Sequence, residues 1–197
     1  MDDAAPAATK LDPVGRPDRF DSATMAMHWA TLLLLVVMFA ASWTLSAATD
    51  APTADRALLV HRSTGALLWL VTLARLAWRP TFGRPVELPR TIGRLQGAAA
   101  RATQYGLYVL LVVQPITGFL QSILRGKPFP LLGFAFPAVM ARDRGLTKVF
   151  HDIHALGAWA LLALIALHVG AALYHHFALR DGVLRSMIPP RPRLSGH

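Results

Sequence analysis

Residues 22–49 contain no Asp, Glu, Lys or Arg, and the middle of that stretch is TLLLLVVMFAA. About 20 such residues are enough to cross a bilayer as a helix. A backbone inside hydrocarbon must pair its own N–H and C=O groups, which makes helix the expected form. Four segments qualify, at about 25–47, 58–78, 102–124 and 152–179, and no comparable span is left for a fifth. The second carries His61, Arg62 and Arg75 near its ends, and the third contains Pro115, which predicts a kink rather than a break. The expected fold is therefore all-α: an integral membrane four-helix bundle over residues 21–188. Residues 1–20 read as a polar N-terminal tail without the pattern of a cleaved signal peptide, and 189–197 as a basic C-terminal tail. RPTFGRPVELPRTIGR, rich in Pro and Arg, reads as the connection between spans two and three.

Composition agrees. Hydrophobic residues make up 54% of the chain and charged residues 16%, against about a quarter in soluble domains. The net charge of +9 would suit a nucleic-acid binder, but the apolar runs assign it to membrane topology and exclude a nucleic-acid partner. Seven of the 20 Lys and Arg (Arg56, Arg62, Arg125, Lys127, Arg142, Arg144 and Lys148) fall on one side of the four spans, and the other thirteen on the side of the two termini. The positive-inside rule predicts both termini in the cytoplasm. With Asp50, Asp55, Asp143 and Asp152, the outer side has a formal +3. The absence of cysteine excludes disulfides, iron–sulfur clusters, thiolate zinc sites and cysteine nucleophiles, leaving eight histidines to hold any redox centre.

Ionisable residues inside a membrane mark functional sites unless they only bond helix to helix. His28 lies near the inner end of the first span and His61 near the outer end of the second. In the fourth span His154 and His168 are 14 residues apart, about 21 Å along a helix and within about 40° of one face. His154 thus matches His61 in depth, and His168 approaches His28. Two imidazole pairs stacked across the bilayer are what two bis-histidine haems require, and two axial ligands leave the iron to electron transfer. His175, seven residues past His168 and on nearly the same face, is a rival for the inner site. His151 is rotated about 100° away and suits a surface or propionate-neighbouring role. His176 points elsewhere and His197 lies in the tail. No close trio of ligands with a carboxylate suggests zinc or copper.

Several segments in order, RFDSATMAMHW, HRSTGALLWLVTLARLAWR, QPITGFL with RGKPFPLLGF, and HALGAWALLALIALHVGAALYHHF with RDGVLRSMIP, resemble the bacterial cytochrome b561 family from about Arg19 to Pro190. That resemblance implies two haem b groups, with His28 paired to His168 and His61 to His154 as iron ligands. It also implies quinone chemistry, because the family includes superoxide oxidase, which passes electrons from external superoxide through haem to ubiquinone. In that picture His175 belongs to a quinone pocket, where it can hydrogen-bond a carbonyl and relay a proton. Arg125 and Lys127 of RGKPF are the candidates for steering an anionic substrate, while most outer cations bind lipid headgroups or haem propionates. The longer polar N-terminal tail departs from the family pattern. Two other functions fit less well: a haem-bearing anchor passing electrons between quinone and a separate redox protein, and a histidine-lined metal or proton transporter.

Overall fold

The computed structural model describes residues 19–83 and 92–189. Most of the expected N-terminal tail, the centre of the Pro/Arg-rich connection and nearly all of the C-terminal tail, with His197, lie outside the described residues. Four long helices follow in order: α1 Ser22–Ala47, α2 Ala51–Thr81, α3 Arg94–Leu124 and α4 Arg144–Tyr174. All four are long and apolar enough to cross a membrane. The helices run beyond the apolar windows, and in α1, α2 and α4 a side-chain cap sets the start. The carboxylates of Asp21, Asp50 and Asp143 accept from the backbone N–H groups of Thr24, Thr53 and Leu146 at 2.8–2.9 Å. Outside the bilayer, the Thr53 N–H bond holds the Asp50 carboxyl below its usual value. Pro115 does not interrupt α3, which is continuous to Leu124.

Neighbours in sequence pack side by side: α1 on α2, α2 on α3 and α3 on α4. One leucine from each helix, Leu35, Leu68, Leu111 and Leu161, makes the core, and Leu68 and Leu161 are each only 1% exposed. Leu35 follows His28 by seven residues, Leu68 follows His61 by seven, and Leu161 stands seven from both His154 and His168. Seven residues are two helical turns, about 10.5 Å. The leucine layer therefore lies midway between two histidine levels. Large apolar side chains such as Leu33, Val36, Trp43, Leu156 and Trp159 face outward, the inverse of a water-soluble bundle. Buried hydroxyls close onto their own helix, as Thr31 does on the Met27 carbonyl (2.7 Å) and Thr72 on that of Leu68 (2.8 Å).

One element was not expected. Phe129–Leu131 (β1) and Phe134–Phe136 (β2) form an antiparallel hairpin between α3 and α4, turning at Leu132 and Gly133, both at positive φ. It stacks Phe129 on Phe136 at 5.1 Å, sets both against Phe119, and bonds Leu132 N–H to Ser63 Oγ of α2 at 3.0 Å. This hairpin and the α1–α2 connection mark what we call the outer end. At the opposite, inner end Phe20 N–H reaches the Ser186 carbonyl (3.1 Å) and Trp29 Nε1 that of Met187 (2.9 Å).

Candidate functional site

At the outer level His61 of α2 faces His154 of α4, with ring centroids 6.1 Å apart. His61 Nδ1 lies 3.3 Å from the Met38 carbonyl oxygen of α1. His154 Nδ1 lies 3.1 Å from the Gln114 carbonyl oxygen and 3.0 Å from Thr117 Oγ1, both on α3. A ring nitrogen facing a carbonyl must be the donor, which assigns the proton to Nδ1 and leaves the Nε2 lone pair free in both rings. The Gln114 amide adds a bond to the His154 carbonyl oxygen at 2.8 Å. Two glycines make room for this. A Cβ on Gly118 would stand 3.1 Å from His154 Cε1, and one on Gly157 2.5 Å from Gln114 Oε1. QPITG on α3 and HALG on α4 are thus two halves of one fitting.

At the inner level His28 of α1 faces His168 of α4 at 6.2 Å. The neighbour of His28 Nδ1 is not a carbonyl but the Arg75 guanidinium of α2, with Nη2 3.5 Å away. Arg75 Nη1 donates to Thr31 Oγ1 at 3.2 Å, and the guanidinium carbon lies 5.7 Å from the centre of the Tyr108 ring.

Both pairs bridge the seam between the α1–α2 hairpin and α4. A metal–imidazole bond is about 2 Å long and the ring centre lies about 1 Å behind the nitrogen, so two imidazoles on opposite sides of one metal atom have centres about 6 Å apart. Both pairs meet that spacing. Among the described residues no three metal-ligating side chains converge. Each level offers two imidazoles, the number of axial ligands that a six-coordinate haem iron takes from protein.

The expected steering residues also come together. Arg125 and Lys127 line a cavity of about 580 Å³ at the outer end with Arg142, Arg144 and Lys148. Gly126 between them is at φ +65°, and a Cβ there would stand 2.5 Å from Arg142 N, so the tight RGK turn needs glycine. Lys148 is paired with Asp152 at 2.7 Å, and among the described residues the other four cations have no carboxylate within 4 Å. His151 lines this cavity, bonded to Gln121 at 2.9 Å, and does not face His61.

His175 does not join the inner pair. It opens a π-helical turn, His175–Leu179, that ends at Arg180 in left-handed conformation (φ 52°). Its Nδ1 meets Asp181 Oδ2 at 2.5 Å, both side chains being largely buried, at 13% and 7% exposure. His176 stacks edge-on against Phe177. Four residues around these sites were not anticipated: Gln114, Thr117, Arg75 and Asp181. Arg75 had the clearest sequence signal, its 14-residue distance from His61, the same interval as His154 to His168.

The sequence model of the family described as prokaryotic cytochrome b561 matches residues 19–190. Similar proteins include cytochrome b561 homolog 2 of Escherichia coli K12, 33% identical over 175 residues covering 87% of this chain and 92% of that protein. Cytochrome b561 homolog 1 of the same organism is 28% identical, with 88% and 99% covered. A probable superoxide oxidase, CybB, of Yersinia pestis is 24% identical, with 88% and 97% covered.

Proposed function

The chain belongs to the prokaryotic cytochrome b561 family of membrane electron-transfer proteins, and from that premise we propose that it oxidises superoxide at the outer face of a bacterial inner membrane and reduces ubiquinone at the inner face. The family implies haem b. We assign two, one held by His61 and His154 and the other by His28 and His168. The observation that carries this is the matched ring separation, 6.1 and 6.2 Å, at two depths on either side of a leucine layer. When bound, such haems would supply one-electron transfer.

The chain's own residues divide the remaining work. Superoxide gives up one electron and leaves as dioxygen, with no proton involved, so the outer end has only to attract and position an anion. Arg125, Lys127, Arg142 and Arg144 around the outer cavity suit that role, since clustered charge raises encounter rates with small anions. Quinone takes up two electrons and two protons, so the balanced reaction is two superoxide, one quinone and two protons giving two dioxygen and one quinol. At the inner end His175 Nδ1 donates to Asp181, so that in its imidazolium form Nε2–H donates to a quinone carbonyl and hands over that proton. The thirteen Lys and Arg on the side of the termini support a cytoplasmic inner end.

The test is to mix the purified protein with superoxide and a soluble ubiquinone analogue. We expect two low-spin haem b per chain in the dithionite-reduced spectrum and rapid quinone reduction that needs no other protein. Two haems without quinone reduction would overturn the superoxide assignment and point to a redox protein as donor. A chain without haem would overturn the whole reading.

A further inference from the structure

Helix α4 places a histidine at both levels, 14 residues apart. Helix α2 uses the same interval differently: His61 stands at the outer level, and Arg75, within about 40° of the same face, at the inner one. Arg75 sits inside a segment otherwise apolar enough to span a membrane. Its partners come from two other helices: the Thr31 hydroxyl and His28 Nδ1 from α1, and the Tyr108 ring from α3. None is an anion, and a guanidinium does not lose its proton. A charge held at this depth without a counter-charge is unfavourable, and long side chains near a helix end ordinarily reach for the headgroups instead. Arg75 does not. Its hydrogen-bonding groups turn toward the inner histidine pair.

The contact with His28 sharpens the point. At the outer level both Nδ1 atoms face carbonyl oxygens. If His28 binds iron through Nε2, its Nδ1 carries the proton, and a guanidinium 3.5 Å away is then a second donor facing a donor. That arrangement calls for an acceptor bearing negative charge beside both groups. A haem carries two carboxylates on its propionate side chains, and a planar guanidinium matches a carboxylate with two parallel hydrogen bonds. We propose that Arg75 anchors a propionate carboxylate of the haem held between His28 and His168 and raises the reduction potential of that haem. The inference rests on the haem assignment above. A positive charge beside the macrocycle favours the reduced, less positive iron, so Arg75 draws electrons toward the inner end, where quinone reduction is placed.

The experiment uses the purified full chain, Arg75→Gln and Arg75→Lys, with haem counted from the pyridine haemochrome and midpoints read by spectroelectrochemical titration. In Arg75→Gln we expect one midpoint shifted downward and the other unmoved, with a smaller shift in Arg75→Lys. Haem retention, read by transfer to apomyoglobin, tests the anchor apart from the charge: wild type should hold its inner protohaem longer than Arg75→Gln, and with protohaem dimethyl ester, which has no free carboxylate, the two should lose it alike. Should Arg75→Gln lose one haem outright, retention of that haem in Arg75→Lys supports the anchor, and loss in both variants overturns it. Two unchanged midpoints in Arg75→Gln, or a wild-type advantage in haem retention that persists with the ester, also overturn it. Wild-type protein without haem would instead defeat the functional assignment, and its haem count reports that separately.

Discussion

The two histidine levels share one ring separation but differ in what holds the rings. At the outer level, carbonyl oxygens of Met38 and Gln114 fix both Nδ1 atoms, and Thr117, the Gln114 amide and two glycines lock His154 in place. At the inner level, His28 meets the cation of Arg75. The surroundings differ in the same sense. The outer end opens on a cavity lined by cations, and the inner end holds the His175–Asp181 pair, which can carry a proton. A rigid, cationic outer end suits a donor that gives only an electron. An inner end with proton-bearing side chains suits an acceptor that takes up protons as well.

The hardest test of the comparison is removal of a ligand. His61→Ala and His154→Ala should each lose the outer haem and keep the inner, and His28→Ala and His168→Ala the reverse. The two classes of variant should then show complementary difference spectra that together make up the wild-type spectrum. Loss of both haems from a single change would show that the leucine layer of Leu35, Leu68, Leu111 and Leu161 does not separate the levels, and the comparison would fail.

How far the sequence anticipates this division follows from where each signal resides. Gaps between charges make the helices legible, because a bilayer imposes length and apolarity on one continuous segment. The 14-residue interval on α4 makes the two depths legible, because helical period converts sequence distance into height and face. Contacts between helices carry no such local sign. Gln114 reaches His154 across 40 positions of sequence, and only the neighbouring glycines hint at a close approach. Arg75 looked like an end-of-span charge, since hydropathy gives a cation's position but not the direction of its side chain. The hairpin at Phe129–Phe136 is too short, at three residues per strand, to show a period of two. His175 still bonds back to Ala171 in the regular helix, and it is Asp181, six residues on and past the π-helical turn, that engages its ring, a contact with no local sign in the sequence.

A smaller effect tests the outer end alone. Replacing Arg125 and Lys127 together by Gln should lower kcat/KM for superoxide by roughly 10-fold, the low end of what electrostatic steering supplies, and flatten its dependence on salt. Haem content and both midpoints should stay as in the wild type. Arg180→Gln, at the inner end, should leave the superoxide rate and its salt dependence unchanged. If the outer variant keeps the wild-type salt slope, its cations serve lipid or haem carboxylates rather than substrate.

The smallest effect concerns the glycine fitting, and there two terms of similar size oppose each other. Gly157→Ala places a methyl 2.5 Å from where Gln114 Oε1 now lies, so the Gln114 side chain must swing away and release the His154 carbonyl. A lost hydrogen bond of this kind costs about 1 kcal/mol, and replacing Gly by Ala within a helix returns about 1 kcal/mol. Thermal stability should therefore barely move, while the outer haem spectrum broadens as His154 loosens and the inner haem spectrum stays fixed. In a Gln114→Ala background the clash and the bond are both absent, so the same Gly157→Ala change should stabilise. A Gly157→Ala effect of the same sign and size in both backgrounds would mean that Gln114 does not hold His154, and that the outer level is no more rigid than the inner.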